Sequence, residues 1–117
     1  MGKSYGLGKH GEEVVCRYLK KQKYSILETN FNCKMGEIDI IAKNKNEIIF
    51  IEVKTRKSYK YGLPAEAVTK QKIKHIYKTA EYYVYTRNLK NIDMRIDVIE
   101  VYVSNGKYYI NHLKNVI

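Results

Sequence analysis

The order of elements along this 117-residue chain predicts a mixed α/β or α+β fold, with a central sheet covered by helices. Three observations carry the prediction. Apolar residues recur at helical spacing between Gly11 and Lys21. Two β-rich runs, Glu37 to Ala42 and Glu47 to Thr55, flank a short polar turn, and a second helical stripe after Thr69 is followed by two β-like runs around Asn105-Gly106. The order is therefore helix, several strands, helix, two more strands.

Each element has its own local reason. In the first helix Val15, Cys16 and Leu19 form the inward stripe, and Glu12 falls on it. Lys20 and Lys21 gather in the last turn, where cations suit the helix dipole. Ser25 to Asn30 reads as a first strand centred on Ile26, with Asn30 to Asn32 as the turn that ends it. Lys43-Asn44-Lys45-Asn46 has the polarity and length of a hairpin turn. Side chains alternate along Glu47 to Thr55, so Ile49, Ile51 and Val53 face one way and Phe50, Glu52 and Lys54 the other. Glu52 and Lys54 need not then lie in the core.

Further on, Ser58 to Leu63 reads as a basic, tyrosine-bearing loop, and Pro64 suits the first turn of a short helical segment around Ala65 to Val68. Thr69 can cap a longer helix. Its buried stripe is Ile73, Ile76, Tyr77, Ala80 and Tyr83, which leaves Lys70, Lys74 and Lys78 toward solvent. Arg87 to Asn91 is a polar connection. Met94 to Val103 and Lys107 to Leu113 are the strands of a hairpin, because Asn-Gly is a strong two-residue turn.

The length suits one domain over residues 1–117. Charged residues make up 29% of the chain and its mean hydropathy is −0.49, which argues against a membrane span. Residues Met1 to Gly6 carry no apolar segment of the secretory type, so a soluble, cytoplasmic protein is expected. Cys16 and Cys33 lack the spacing of a zinc site or a disulfide framework, and His10, His75 and His112 are too scattered for a metal-ligand motif. The formal net charge of +10 favours a polyanionic partner. Much of the excess falls where one surface can form, at Lys54, Arg56, Lys57 and Lys60 and then at Lys70, Lys72, Lys74 and Lys78.

One constellation suggests chemistry. Glu12 on the first helix, Asp39 and Glu52 on adjacent strands, and Lys54 on the face of Glu52 can converge. Phosphodiester hydrolysis needs a hard cation, an activated water and neutralisation of developing charge. Asp39, Glu52 and the Val53 carbonyl suffice for the protein's share of a magnesium shell, and Lys54 can orient the water or stabilise the anion. Each piece also has a plainer reading. Glu-x-Lys is common on a solvated strand face, Asp39 suits an exposed one, and Glu12 suits a helix's first turn. Arg95 and Asp97 share a strand face and read as a structural pair.

Glycine followed by Glu12, "GEID" ending at Asp39 and "FIEVKTR" from Phe50 to Arg56 resemble the PD-(D/E)XK nuclease superfamily. More closely, the chain resembles the YraN-like family of bacterial endonuclease-like proteins, similar in fold to archaeal Holliday-junction resolvases. "YGLPAEAV" followed by Lys72, "RIDVIEV" from Arg95 to Val101 and the closing "NHLKNVI" extend the match over nearly the whole chain. The resemblance implies a restriction-endonuclease-like core and a magnesium-dependent endonuclease of DNA, with manganese as a substitute. It implies Asp39 and Glu52 as metal ligands, Lys54 as the catalytic lysine, and Glu12 as an acid reaching the metal directly or through water. Ile38 stands where the superfamily's name has proline, which removes no ligand. His75 stands where some relatives carry a tyrosine four residues after the glutamine, so Gln71 takes only a supporting role.

For the substrate, Arg56, Lys57 and Lys60 are expected to hold phosphates, Tyr59 and Tyr61 to stack on unpaired bases, and Lys72 to make a further phosphate contact. Branched or otherwise structured DNA is the form that similarity to resolvases implies, and symmetric cutting of a four-way junction would need a homodimer. A module on the same fold that binds nucleic acid without cutting it is the alternative.

Overall fold

In the computed structural model, which describes residues 3–56 and 68–117 with side chains from His10 onward, five strands lie side by side in chain order. They are β1 (Ser25–Cys33), β2 (Gly36–Asn44), β3 (Glu47–Arg56), β4 (Asp93–Ser104) and β5 (Lys107–Leu113). All neighbours are antiparallel except β3 and β4, which are parallel. Parallel neighbours need a long crossover, and the helix α2 (Lys70–Thr86) lies between them in sequence. The other helix, α1 (Lys3–Lys21), covers the opposite face. The mixed sheet between two helices is consistent with a restriction-endonuclease-like core.

Strand alternation makes two cores. Val15 and Leu19 of α1 pack on Ile40, Ala42, Ile49, Ile51, Ile99 and Val101. Ile76, Ala80 and Tyr83 of α2 pack on Phe31, Ile38, Ile41, Ile48, Phe50 and Ile96. The expected division of β3 into an Ile49, Ile51, Val53 face and a Phe50, Glu52, Lys54 face holds.

Several boundaries differ from the sequence reading. The first helix starts at Lys3, eight residues before Gly11, because Gly6 and Gly8 interrupt the apolar period there. The Asn30 to Asn32 stretch does not turn the chain: β1 continues to Cys33, and the reversal comes at Lys34 and Met35. Asn30 does take a left-handed φ of 55°, the conformation its composition signals, but within a strand. The β2–β3 turn is two residues, Lys45 and Asn46, with Lys45 at φ 56°. In α2, Thr69 caps as expected, its hydroxyl accepting from the Lys72 N–H at 3.1 Å. Tyr77 is 38% exposed, however, and Thr79 is fully buried instead. Thr79 can be buried because its hydroxyl donates to the His75 carbonyl at 2.9 Å. The short segment expected around Ala65 to Val68 lies outside the described residues but for Val68, which is not helical.

On the α1 face a buried polar network ties the C-terminal strands to the first helix. Asp97 is fully buried. It accepts two hydrogen bonds from Arg95 at 2.9 Å, one from the Asn115 N–H at 2.9 Å and one from His112 Nε2 at 2.7 Å. His112 Nδ1 meets the Tyr18 hydroxyl at 2.8 Å, while Arg95 also reaches Tyr24 and Glu47. The expected structural pair is therefore the centre of a larger array. Burial alone would push the Asp97 carboxyl up, but the hydrogen bonds from His112, Arg95 and Asn115 together hold it below its usual range.

Two predictions follow from these contacts. A carboxyl held low contributes stability above its unfolded value near 3.8, and loses it as pH falls through the folded value. Asp97→Ala should cost about 3–5 kcal/mol in urea denaturation at neutral pH, since it leaves Arg95 without its counter-ion, and should flatten the acid limb of the stability curve. A cost under about 1 kcal/mol would contradict this role for the network. Separately, a Cβ at Gly11 would lie 2.5 Å from Thr55 Oγ1. Gly11→Ala should destabilise by about 1–3 kcal/mol, and adding Thr55→Ala should recover part of that loss in a double-mutant cycle.

Candidate functional site

The β2–β3 ladder runs from Asn44↔Glu47 to Ile40↔Ile51 and ends there. One residue further along β2, Asp39 Oδ2 accepts the Val53 N–H at 2.8 Å, so a side chain takes the place of a strand carbonyl. The N–H and C=O of a strand residue point to the same edge. The Val53 carbonyl therefore faces the Asp39 side as well.

The chain's phase changes at this point. Ile40 packs in the α1-side core, but Ile38, two residues away, packs in the α2-side core. Opposite Asp39 on β1, Asn30 with its left-handed φ sits between the pairs Thr29↔Ile40 and Phe31↔Ile38. A strand that kept strict alternation would put Ile38 and Ile40 on one face.

Glu52 lies on the α2 face of β3 and is only 7% exposed, contrary to the expectation that it need not be buried. Its Oε2 is 3.8 Å from Lys72 Nζ, in the first turn of α2. Burial pushes the Glu52 carboxyl above its usual range, and the Asp39 charge pushes it further, against the pull of Lys72 and Lys54. Burial also raises Asp39, partly offset by the Val53 N–H and by Lys72. Asp39 is thus close enough to disfavour the charge on Glu52. Lys54, two residues past Glu52 on the same face, acts on both.

Three of the four residues expected to converge are therefore together, Asp39, Glu52 and Lys54, with the Val53 carbonyl beside them. Glu12 lines a groove with Arg17, Lys20, Thr29 and Asn30, the last of these opposite Asp39, and its neighbour Gly11 lies against Thr55, next to Lys54. Among the described residues no three His, Cys, Asp or Glu side chains gather closely enough to hold a metal ion. The donors that can serve are two carboxylates and one carbonyl, all oxygen.

The expected substrate contacts divide. Gln71 and Lys72 are exposed on the first turn of α2. The Arg56 guanidinium is instead paired with Glu100 at 3.2 Å, and its side chain is only 9% exposed. Glu100 also accepts from Tyr102 and Asn111, and although burial opposes it, the bonds from Asn111, Arg56 and Tyr102 hold its carboxyl below the usual range. Arg56 thus neutralises a neighbour rather than facing outward. Lys57, Tyr59, Lys60 and Tyr61 lie outside the described residues. The sequence reading missed Glu37, whose charge raises both Asp39 and Glu52. The signal was the acid of "GEID" two residues before Asp39.

A carboxyl with a raised value favours the fold most when protonated, below its unfolded value near 4, and that contribution is lost as pH rises through the folded value. Glu52→Gln should therefore raise the melting temperature by about 2–5 °C at pH ~7, and the gain should vanish below pH ~4. A thermal melt that shows the variant no more stable than the parent at neutral pH would count against a mutually repelling pair.

The model of the uncharacterised protein family UPF0102 matches residues 11–101. A UPF0102 protein of Caldicellulosiruptor saccharolyticus is 51% identical over 111 residues, covering 93% of this chain and 94% of its own length. One from Caldanaerobacter subterraneus is 47% identical over 112 residues, covering 93% and 92%, and one from Clostridium botulinum is 51% identical over 112 residues, covering 93% and 91%. With a match of this extent, the chain belongs to the UPF0102 family, the YraN-like family.

Proposed function

We propose that this protein is a magnesium-dependent nuclease that hydrolyses phosphodiester bonds in DNA. The observation that carries the reading is the Asp39 and Glu52 pair: two largely buried carboxylates, both raised by burial and Glu52 further by the Asp39 charge, beside the strand edge that carries the Val53 carbonyl. A structural role would separate such charges. Divalent cation binding would relieve their repulsion, and the donor set fits magnesium, which takes oxygen ligands and keeps several waters. Asp39, Glu52 and the Val53 carbonyl would hold the ion, leaving other positions for water and a phosphate oxygen.

The ion, when bound, would polarise the phosphate and lower the pKa of a bound water. The chain's own residues do the rest. The Val53 N–H fixes one oxygen of Asp39 and so sets the direction of the other. Lys54, on the face of Glu52, is the group that can orient the attacking water or stabilise the phosphate's developing charge. Lys72 is the Glu52 counter-ion at 3.8 Å, and neutralising Glu52 by other means would free its ammonium for a substrate phosphate. Glu12, whose neighbour Gly11 lies against Thr55, would reach the ion directly or through water. Branched DNA is the substrate form proposed from similarity to resolvases, and cutting both strands of a junction symmetrically would need two copies of the chain.

A second reading has its own support. Glu52 already has Lys72, and Asp39 already has the Val53 N–H, as structural charges would in a module that only binds nucleic acid. Asp39→Ala separates the two. In a nuclease it should reduce magnesium- or manganese-dependent cleavage of labelled linear, flapped and four-way DNA by at least ~10²–10³-fold, while binding stays equal or tightens. Pure parent protein that cuts none of these with either metal, yet binds them, would establish the binding module instead.

A further inference from the structure

Beyond the carboxylate pair, the outer face of α2 has a charge pattern that helix stability does not explain. Lys70, Lys74 and Lys78 are exposed and recur every four residues, a rise of ~6 Å per step and ~12 Å in all. The first turn of α2 has no acidic residue and the last turn no basic one, the reverse of what the helix dipole favours. Glu81 is the single acid of this helix. Lys70, in the first turn, therefore costs the helix something where it stands.

They also rim a groove of about 710 Å³ whose apolar floor is Ile73, Tyr77 and Ile117. Tyr77 is 38% and Ile117 59% exposed. A rim of cations over an apolar floor suits a sugar–phosphate backbone, whose phosphates meet the rim while sugar faces cover the floor. The groove is not remote from the site, because Lys72 on the same helix reaches Glu52.

We infer that the outer face of α2 is the rail along which the backbone of a bound DNA arm leaves the carboxylate pair, with Lys70, Lys74 and Lys78 neutralising successive phosphates. This rests on the reading that the partner is DNA, but not on whether the protein cuts it. The rail gives the substrate a direction: the arm runs from the Lys72 end of α2 toward Lys78. A bound arm must then extend past the carboxylate pair by at least the length of the rail.

The test compares two triple variants by fluorescence anisotropy on labelled duplex and four-way DNA, without divalent metal, across a salt series. Lys70→Gln/Lys74→Gln/Lys78→Gln removes the rail. Lys43→Gln/Lys45→Gln/Lys90→Gln removes the same charge around the β2–β3 turn, at the far end of the ladder from Asp39. The rail variant should bind at least ~10-fold more weakly near 0.1 M salt and lower the slope of log K against log salt by about 2–3. Its melting temperature should be unchanged or higher. The control variant should keep its affinity within about three-fold and its slope within about 1.

Equal weakening by both variants would overturn the rail in favour of net charge alone, and no weakening by either would overturn it outright. A labelled poly-glutamate bound as tightly as DNA would overturn the assignment to nucleic acid. If the parent binds DNA through these lysines but never cuts it, the rail stands and the nuclease reading falls.

Discussion

Ten consecutive residues of β3 lie in unbroken parallel register with β4, from Glu47↔Asp93 to Arg56↔Tyr102, and the rest of the molecule depends on that pairing. It commits the chain to a crossover, and the crossover is α2. It also stacks the polar positions of two strands face by face. On the α2 side Glu52, Lys54 and Arg56 stand beside Val98, Glu100 and Tyr102; on the α1 side Ile49 and Ile51 stand beside Arg95 and Asp97. A slip of one residue would send every one of these side chains to the wrong face.

The two faces treat their charges differently. On the α1 side Asp97 is enclosed by donors, and its charge is favoured by everything around it. On the α2 side Asp39 and Glu52 are buried with partial compensation, and the neighbouring turn of α2 carries cations its dipole disfavours. Among the described residues, uncompensated charge is thus gathered on the α2 side rather than in the α1-side network. That contrast supports reading this place as one shaped for a partner, since perturbed carboxylates cluster where chemistry or binding needs them. The apolar layers on both faces make such a local cost tolerable.

Much of the architecture could be read from residue patterns alone. The period of Ile49, Ile51 and Val53 against Phe50, Glu52 and Lys54 assigned β3 to its two cores, Thr69 announced α2, and Asn105-Gly106 announced the last hairpin. What escaped was non-local. Nothing within Asn30 to Asn32 says that a left-handed asparagine will sit inside a strand rather than end it, because the deciding partner is β2. Tyr77 fits the helical stripe as well as Thr79 does, but Thr79 is the one buried, its hydroxyl satisfied by the His75 carbonyl. At the site, alternation paired Glu52 with Lys54, but the Asp39 bond to Val53 depends on where the ladder stops. Arg56 looked available until β4 brought Glu100, two residues before its register partner Tyr102, into an ion pair with its guanidinium.

The distortion at Asn30 has a second consequence, for association. β1 is an outer strand of the sheet, nine residues long, with Leu27 41% exposed, and such a strand is a template for pairing with another chain. It is broken twice, by the register shift between Ile26 and Glu28 and by the left-handed residue opposite Asp39. An incoming strand would find no straight run of donors and acceptors longer than a few residues. The kink beside the Asp39 carboxylate thereby also guards the sheet's margin against self-assembly, so straightening β1 for stability would expose the protein to aggregation.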